Sequence, residues 1–247
     1  MKILGVIPAR FASTRFPGKP LADICGKSMI QRVYERAVQA KTLTQVVVAT
    51  DDERIYEHVK EFGGQVAMTS QLHESGTDRC AEVALQFPEY EGLINIQGDE
   101  PLIDPRQIDL LGSKLQEKGV ILATLIKRVN NAEELFNPNI PKVVVKANGE
   151  AIYFSRQTIP YLRGSETSEW VKKHTYYRHI GIYGYRADTL QLITKIPLST
   201  LEKTECLEQL RWIENGLAIH TAITDAETLA IDTPEDLEKI VQLISAS

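Results

Sequence analysis

The chain has 247 residues, 43% of them hydrophobic and 25% charged, a balance that excludes a disordered protein and allows a core without disulfide or metal staples. Its 28 basic and 33 acidic residues leave a net charge of −5, which argues against a general nucleic-acid binder, so any bound anion needs a local basic cluster. Three well-separated cysteines (Cys25, Cys80, Cys206) form neither a disulfide framework nor a zinc pattern, and no stretch approaches the roughly 18 apolar residues of a membrane span.

Residues 3–7 are a continuous apolar run ending at Pro8, as expected of a strand buried on both faces. The run is too short for a secretory leader, so a reducing cytoplasm is the expected compartment. A loop to about Gly26 precedes a helix in which Met29, Ile30, Val33 and Ala37 recur at helical spacing. Residues 46–49 predict the next strand, 53–62 a helix stopped by Gly63-Gly64, 65–68 a strand, 77–87 a helix and 93–96 a strand. Asp104-Pro105 opens a further helix, with Asp104 as cap and Gln107 closing a capping box. Residues 142–147 and 150–154 flank Asn148-Gly149, a hairpin signal because both residues accept positive φ. Residues 176–186 predict a long strand, 201–215 one amphipathic helix stopped by Gly216, 217–223 a strand, and Thr233-Pro234-Glu235-Asp236 the cap of the last helix. Strand–helix alternation predicts a mostly parallel sheet covered by helices, with ligands beyond the carboxyl ends of its strands. The length fits one domain over 1–247, and the β-rich stretch from about 128 to 186 is expected to be an insertion into the sheet or an extension of its edge, where a hairpin offers a dimer surface.

Several clusters could carry chemistry. The segment Pro8-Ala9-Arg10-Phe11-Ala12-Ser13-Thr14-Arg15-Phe16-Pro17-Gly18-Lys19-Pro20 sets three cations among small and turn-forming residues directly after the first strand. Arginine forks and a lysine point charge suit phosphate oxygens, and Ser13, Thr14 and Gly18 leave backbone N–H groups approachable. The pattern is neither a Walker A loop nor a Gly-x-Gly-x-x-Gly loop. Asp99, after Gln97-Gly98, stands at the rim of the fourth strand, where one or two carboxylates meet the needs of a magnesium ion that takes its other ligands from phosphate and water. Asp232, ahead of the last helix, either compensates the helix dipole or joins Asp99 at that ion. Ser75-Gly76-Thr77-Asp78-Arg79 has the form of a capping box at a helix N-terminus, and Arg79 opposes the helix dipole, a misfit that hints at a ligand. In residues 178–185, alternation sends Ile180 and Ile182 to one face and His179, Gly181, Tyr183 and Tyr185 to the other, which is either cross-strand packing or a ligand wall. Glu208 and Gln209, at the border of an apolar stripe, read by themselves as solvated helix residues.

Together these segments resemble the CMP-Kdo synthetases, the 3-deoxy-manno-octulosonate (Kdo) cytidylyltransferase family. The matching signatures are IPARFASTRFPGKPL, VATDDERI, SGTDR, NIQGDEPLI, YFSR, RHIGIYGYR, LEQLR and DTPEDL, in the family's order over nearly the whole chain. The resemblance implies a Rossmann-like nucleotidyltransferase fold with a β-rich dimerisation insertion, and in-line attack of the sugar's anomeric hydroxyl on the α-phosphate of CTP, releasing pyrophosphate and feeding lipopolysaccharide synthesis. It implies catalytic roles for Arg10, Arg15, Lys19 and Asp99; nucleotide contacts from Ala9, Arg10, Ser13, Arg15, Lys19, Ser75, Gly76, Thr77 and Arg79; sugar contacts from Gln97, Arg156, His179, Tyr183, Glu208 and Gln209; and Mg2+ held by Asp99 and Asp232. Magnesium, rather than a side-chain base, is expected to activate the hydroxyl, with His179 as a candidate assistant. A homodimer is implied as well. One departure is Ala230, where the family pattern has glycine two residues before the last aspartate. An 8-amino analogue of Kdo, a sialic acid as acceptor, or nucleotide binding without turnover are the competing expectations.

Overall fold

The computed structural model describes residues 1–12, 16–227 and 229–245; Ser13, Thr14 and Arg15 lie outside the described residues. In chain order the strands are β1 (Ile3–Ala9), β2 (Asp23–Ile24), β3 (Lys27–Ser28), β4 (Gln45–Thr50), β5 (Val66–Met68), β6 (Gly92–Asn95), β7 (Leu122–Arg128), β8 (Lys142–Val145), β9 (Ala151–Ser155), β10 (Tyr177–Arg186) and β11 (His220–Ile223). The helices are α1 (Met29–Ala37), α2 (Glu53–Glu61), α3 (Gly76–Gln86), α4 (Pro105–Gln116), α5 (Ala132–Phe136), α6 (Trp170–Lys173), α7 (Ala187–Ile193), α8 (Thr200–Glu205), α9 (Gln209–Glu214) and α10 (Pro234–Ser245).

Among the described residues the main sheet runs β11-β7-β10-β6-β1-β4-β5, with β8 pairing to β10 and β9 to β8. Within that row only β10 opposes its neighbours; β1 pairs in parallel with β4 and β6, β4 with β5, and β7 with β11. Such a sheet is buried on both faces, and the continuous apolar sequence of β1 follows from that. Leu4 and Val6 point into a core with Cys80, Val83 and Ala84 of α3 and Leu210 and Trp212 of α9. Ile3, Ile7 and Ala9 point the other way, into a core with Ile30 and Val33 of α1 and Ile108 and Leu111 of α4. The two faces of β10 divide as its alternation requires: Ile180 and Ile182 join the second core, Tyr183 and Tyr185 the first. Asn148 and Gly149 turn β8 into β9, with Gly149 (φ 83) but not Asn148 at positive φ.

Two local expectations are corrected. Residues 201–215 are not one helix, because Cys206 adopts a left-handed conformation (φ 51) that ends α8, and the chain restarts α9 at Gln209. Asp104 caps α4 through the Arg106 N–H at 2.9 Å, but Gln107 closes no capping box: its side chain is buried and its amide has no hydrogen-bond partner among the described residues. The boxes at α3 (Ser75 and Asp78) and α10 (Thr233 and Asp236) both form.

Candidate active site

Three loops meet beyond the carboxyl ends of β1 and β6. The first carries Arg10, exposed just past Ala9, and returns through Gly18 (φ 72) to a single turn of 3-10 helix beginning at Lys19. The second leaves β6 as Gln97-Gly98-Asp99, and the third precedes α10. The Lys19 ammonium donates to Asp99 Oδ2 at 2.8 Å and to the Ile231 carbonyl at 2.8 Å, and lies 3.8 Å from Asp232 Oδ1. The Ile231 N–H donates to the Asp99 carbonyl at 2.9 Å, so backbone as well as side chains binds the two acidic loops together. Gly98 permits this approach: a Cβ there would fall 2.7 Å from the Pro8 carbonyl oxygen. Glu100 faces inward, and burial, reinforced by the Asp99 charge, pushes its carboxyl up to about 7.

The basic loop is braced from outside. Arg54 at the start of α2 lies over the Phe11 ring, 3.3 Å from its centroid, while its guanidinium also engages Asp52. Nothing in the isolated sequence marks Arg54 for this beyond its place in the VATDDERI segment.

The second group is built on the first turn of α3, whose leading N–H groups have no carbonyl within the helix to bond. Ser75 Oγ accepts from the Asp78 N–H at 3.0 Å, and a Cβ added at Gly76 would meet the Pro8 ring at 3.4 Å. Thr77 Oγ1 donates to Glu208 Oε2 at 2.8 Å. Arg79 is buried, and its guanidinium donates to Asp51 Oδ2 at 2.9 Å and to Thr69 Oγ1. The cation at the helix start is therefore held by Asp51 and Thr69, neither of them singled out from sequence, and protein partners rather than direct contact with a ligand account for the charge misfit of Arg79.

The third group lines β10 and the start of α9. Gln97 Nε2 donates to the Gly181 carbonyl at 2.7 Å, and a Cβ at Gly181 would meet nothing within 4 Å, so the glycine leaves open space beside Gln97. His179 Nε2 is 2.9 Å from Thr124 Oγ1; its ring meets Phe154 edge-on (5.1 Å) and Tyr183 at a tilt (5.3 Å). Burial lowers its titration to about 3, so the imidazole is neutral at neutral pH. Tyr183 stacks on Tyr185 and abuts Trp212, and its hydroxyl, like Gln209 Nε2, is buried without a hydrogen-bond partner among the described residues. Burial raises Glu208, opposed by the Thr77 hydrogen bond and the Arg211 charge. Arg156 reaches the Glu205 carbonyl (2.7 Å), the Cys206 carbonyl (3.3 Å) and the Pro138 carbonyl (3.2 Å), which ties it to the corner between α8 and α9 rather than to the Lys19 group.

The structure thus brings together Lys19, Asp99 and Asp232, and separately Thr77 with Glu208 and Gln97 with Gly181. Among the described residues no set of three or more His, Cys, Asp or Glu forms a metal cage. Two carboxylates facing one loop nonetheless fit magnesium, which takes few protein ligands and leaves the remainder to phosphate and water.

Comparison with known proteins bears on the family of the chain. A family model described as Cytidylyltransferase matches residues 4–221. The chain is 54% identical over 250 residues to the 3-deoxy-manno-octulosonate cytidylyltransferase of Parabacteroides distasonis, covering 99% of each chain. It is 54% identical to the protein of the same name from Cytophaga hutchinsonii, covering 99% of this chain and 98% of the relative. Among solved structures it superimposes on a CMP:2-keto-3-deoxy-manno-octonic acid synthetase complexed with CTP, with a TM-score of 0.93 and 45% identity, covering 100% of this chain and 99% of the other.

Proposed function

The chain belongs to the 3-deoxy-manno-octulosonate cytidylyltransferase family, and on that premise we propose that it transfers CMP from CTP to the anomeric hydroxyl of Kdo, giving CMP-Kdo and pyrophosphate. The observation that carries this reading is the convergence of Lys19, Asp99 and Asp232 from three remote loops on one point beyond β1 and β6. Phosphoryl transfer is mostly positioning and charge stabilisation, and these loops supply both.

In this reading Arg10, Arg15 and Lys19 neutralise the triphosphate, and Ala9, Ser13, Ser75, Gly76, Thr77 and Arg79 shape the nucleotide side, Arg79 through its hold on Asp51. Asp99 and Asp232 hold Mg2+, which when bound supplies a Lewis acid for the phosphate oxygens. Gln97, His179, Tyr183, Glu208 and Gln209 line the sugar side, with Arg156 supporting the loop beside it. The neutral imidazole of His179 orients through Thr124 and carries no charge to the substrate. The product would feed lipopolysaccharide assembly. We further propose a cytoplasmic homodimer, as the family resemblance implies, with the β8–β9 hairpin, which pairs with β10 outside the main row of strands and exposes Ile152, as its surface.

The test is pyrophosphate release from CTP and Mg2+ with Kdo, its 8-amino analogue or a sialic acid. Release with Kdo foremost and none without sugar is expected. Release from CTP alone would replace the synthetase with a hydrolase.

A further inference from the structure

Glu208 and Gln209 arrive at the site because the chain turns at Cys206 and begins α9 anew. A side chain holds that corner. Arg211, in the first turn of α9, donates through Nη2 to Glu202 Oε1 at 2.9 Å, sets Nε 2.8 Å from Glu202 Oε2, and donates through Nη1 to the Ile196 carbonyl at 3.1 Å. Its Nη2 also lies 3.5 Å from Glu208 Oε1. Glu202 is fixed in turn by the capping box of α8, in which Ser199 Oγ accepts from the Glu202 N–H at 3.3 Å. The other oxygen of Glu208 accepts from Thr77. A continuous chain of polar side chains therefore runs Glu202–Arg211–Glu208–Thr77, from α8 to the first turn of α3. The side chains of Arg211 and Glu202 are 13% and 11% exposed, so solvent screens their pairing little.

Resting on the reading of the site given above, we propose that Arg211 is a positioning residue for the sugar acid: it holds the Glu208 carboxylate against Thr77 and so fixes the sugar wall relative to the nucleotide segment. Three features support this. The guanidinium spans two carboxylates and a carbonyl, which a lysine ammonium cannot match in geometry. Glu208 sits at the start of a short helix after a left-handed residue, a junction whose direction local backbone alone does not fix. Removing Arg211 also leaves Glu202 and Glu208, two largely covered carboxylates, without their shared counter-charge.

The experiment compares wild type, Arg211→Lys, Arg211→Ala, Thr77→Val and the Arg211→Lys/Thr77→Val double variant in steady-state kinetics, well below each protein's melting temperature. Arg211→Lys should raise KM for Kdo about tenfold while KM for CTP stays within about twofold. Thr77→Val should raise KM for Kdo as well, besides any change in KM for CTP from its place in the nucleotide segment. In KM for Kdo the double variant should exceed neither single variant by more than about twofold, because that effect runs through Glu208 in both. If Arg211→Ala does not fold, Arg211→Lys carries the test. A lower melting temperature with both KM values unchanged in Arg211→Lys would make the residue a strut of the fold only, and fully additive effects would break the link through Glu208. A wild-type enzyme that releases no pyrophosphate with Kdo in the same assay would remove the sugar reading itself, and this proposal with it.

Discussion

The Lys19 ammonium donates to Asp99 Oδ2 at 2.8 Å, joining the loop after β1 to the loop after β6 across 80 residues of sequence. With Asp232 3.8 Å away, the ammonium faces two carboxylates in a partly covered site. Lys19→Ala removes the ammonium that faces both carboxylates and with it a preorganised charge on the phosphate side. We expect kcat/KM to fall by about 100-fold or more, the scale of losing one electrostatic stabiliser, with a cooperative melt retained. A fall of less than about threefold would return Lys19 to a structural role.

Gly98 is tested by adding one methyl group. Its Cβ would press on the Pro8 carbonyl oxygen at 2.7 Å, and that oxygen belongs to backbone within the sheet, so the Asp99 loop must give way. Gly98→Ala should cost about 1–3 kcal/mol by chemical denaturation, the usual range for overpacking, and reduce turnover more than the fraction unfolded explains. Wild-type kinetics in the variant would show that the position of the Asp99 loop is not critical.

His179 makes stability depend on pH. Burial between Phe154 and Tyr183 lowers its titration from 6.5 to about 3, so on acidification the unfolded chain takes up the proton first. The stabilisation from the neutral ring is complete above about pH 6.5 and is lost as the pH falls toward about 3. Glu100 works in the opposite sense: raised from 4.5 to about 7, it contributes stability below pH 4.5 that disappears as the pH rises through about 7. Comparing wild type with His179→Gln cancels the Glu100 contribution. Between about pH 7 and 4.5 the wild type should lose on the order of 2 kcal/mol more than the variant in denaturant titrations. Parallel curves would mean that His179 titrates normally.

Arg15 lies outside the described residues, and its role is a proposal from sequence. A guanidinium fork on a triphosphate oxygen is a charged hydrogen bond, so Arg15→Ala should weaken CTP binding by about 1.5–3 kcal/mol in calorimetry. Unchanged affinity would make it an ordinary solvated residue.

The elements that read clearly from sequence are those governed by neighbouring residues. The apolar run of β1, the capping boxes at Ser75 and Thr233 and the Asn148-Gly149 turn each follow from local stereochemistry. The break between α8 and α9 did not read, because the apolar stripe continues across it and the left-handed residue is Cys206 rather than glycine. The Gln107 capping box failed because burial against the core outweighed the local bond. Arg79 with Asp51 and Thr77 with Glu208, pairs 28 and 131 residues apart, need the fold before either partner can be named. That Asp232 joins Asp99 at one ion was one of two readings open from residue type and position; the family resemblance favoured it and set Lys19 beside the pair, since each residue alone reads as loop charge or helix cap.

The most direct measurement is uptake of Mn2+, a spectroscopic substitute for magnesium, followed by electron paramagnetic resonance in the presence of CTP. Wild type should capture the ion in a ternary complex, whereas Asp232→Ala, folded as judged by circular dichroism, should leave it in solution with CTP and release no pyrophosphate. An Asp232→Ala enzyme that still binds the ion and still turns over would contradict the convergence of Lys19, Asp99 and Asp232 on the nucleotide.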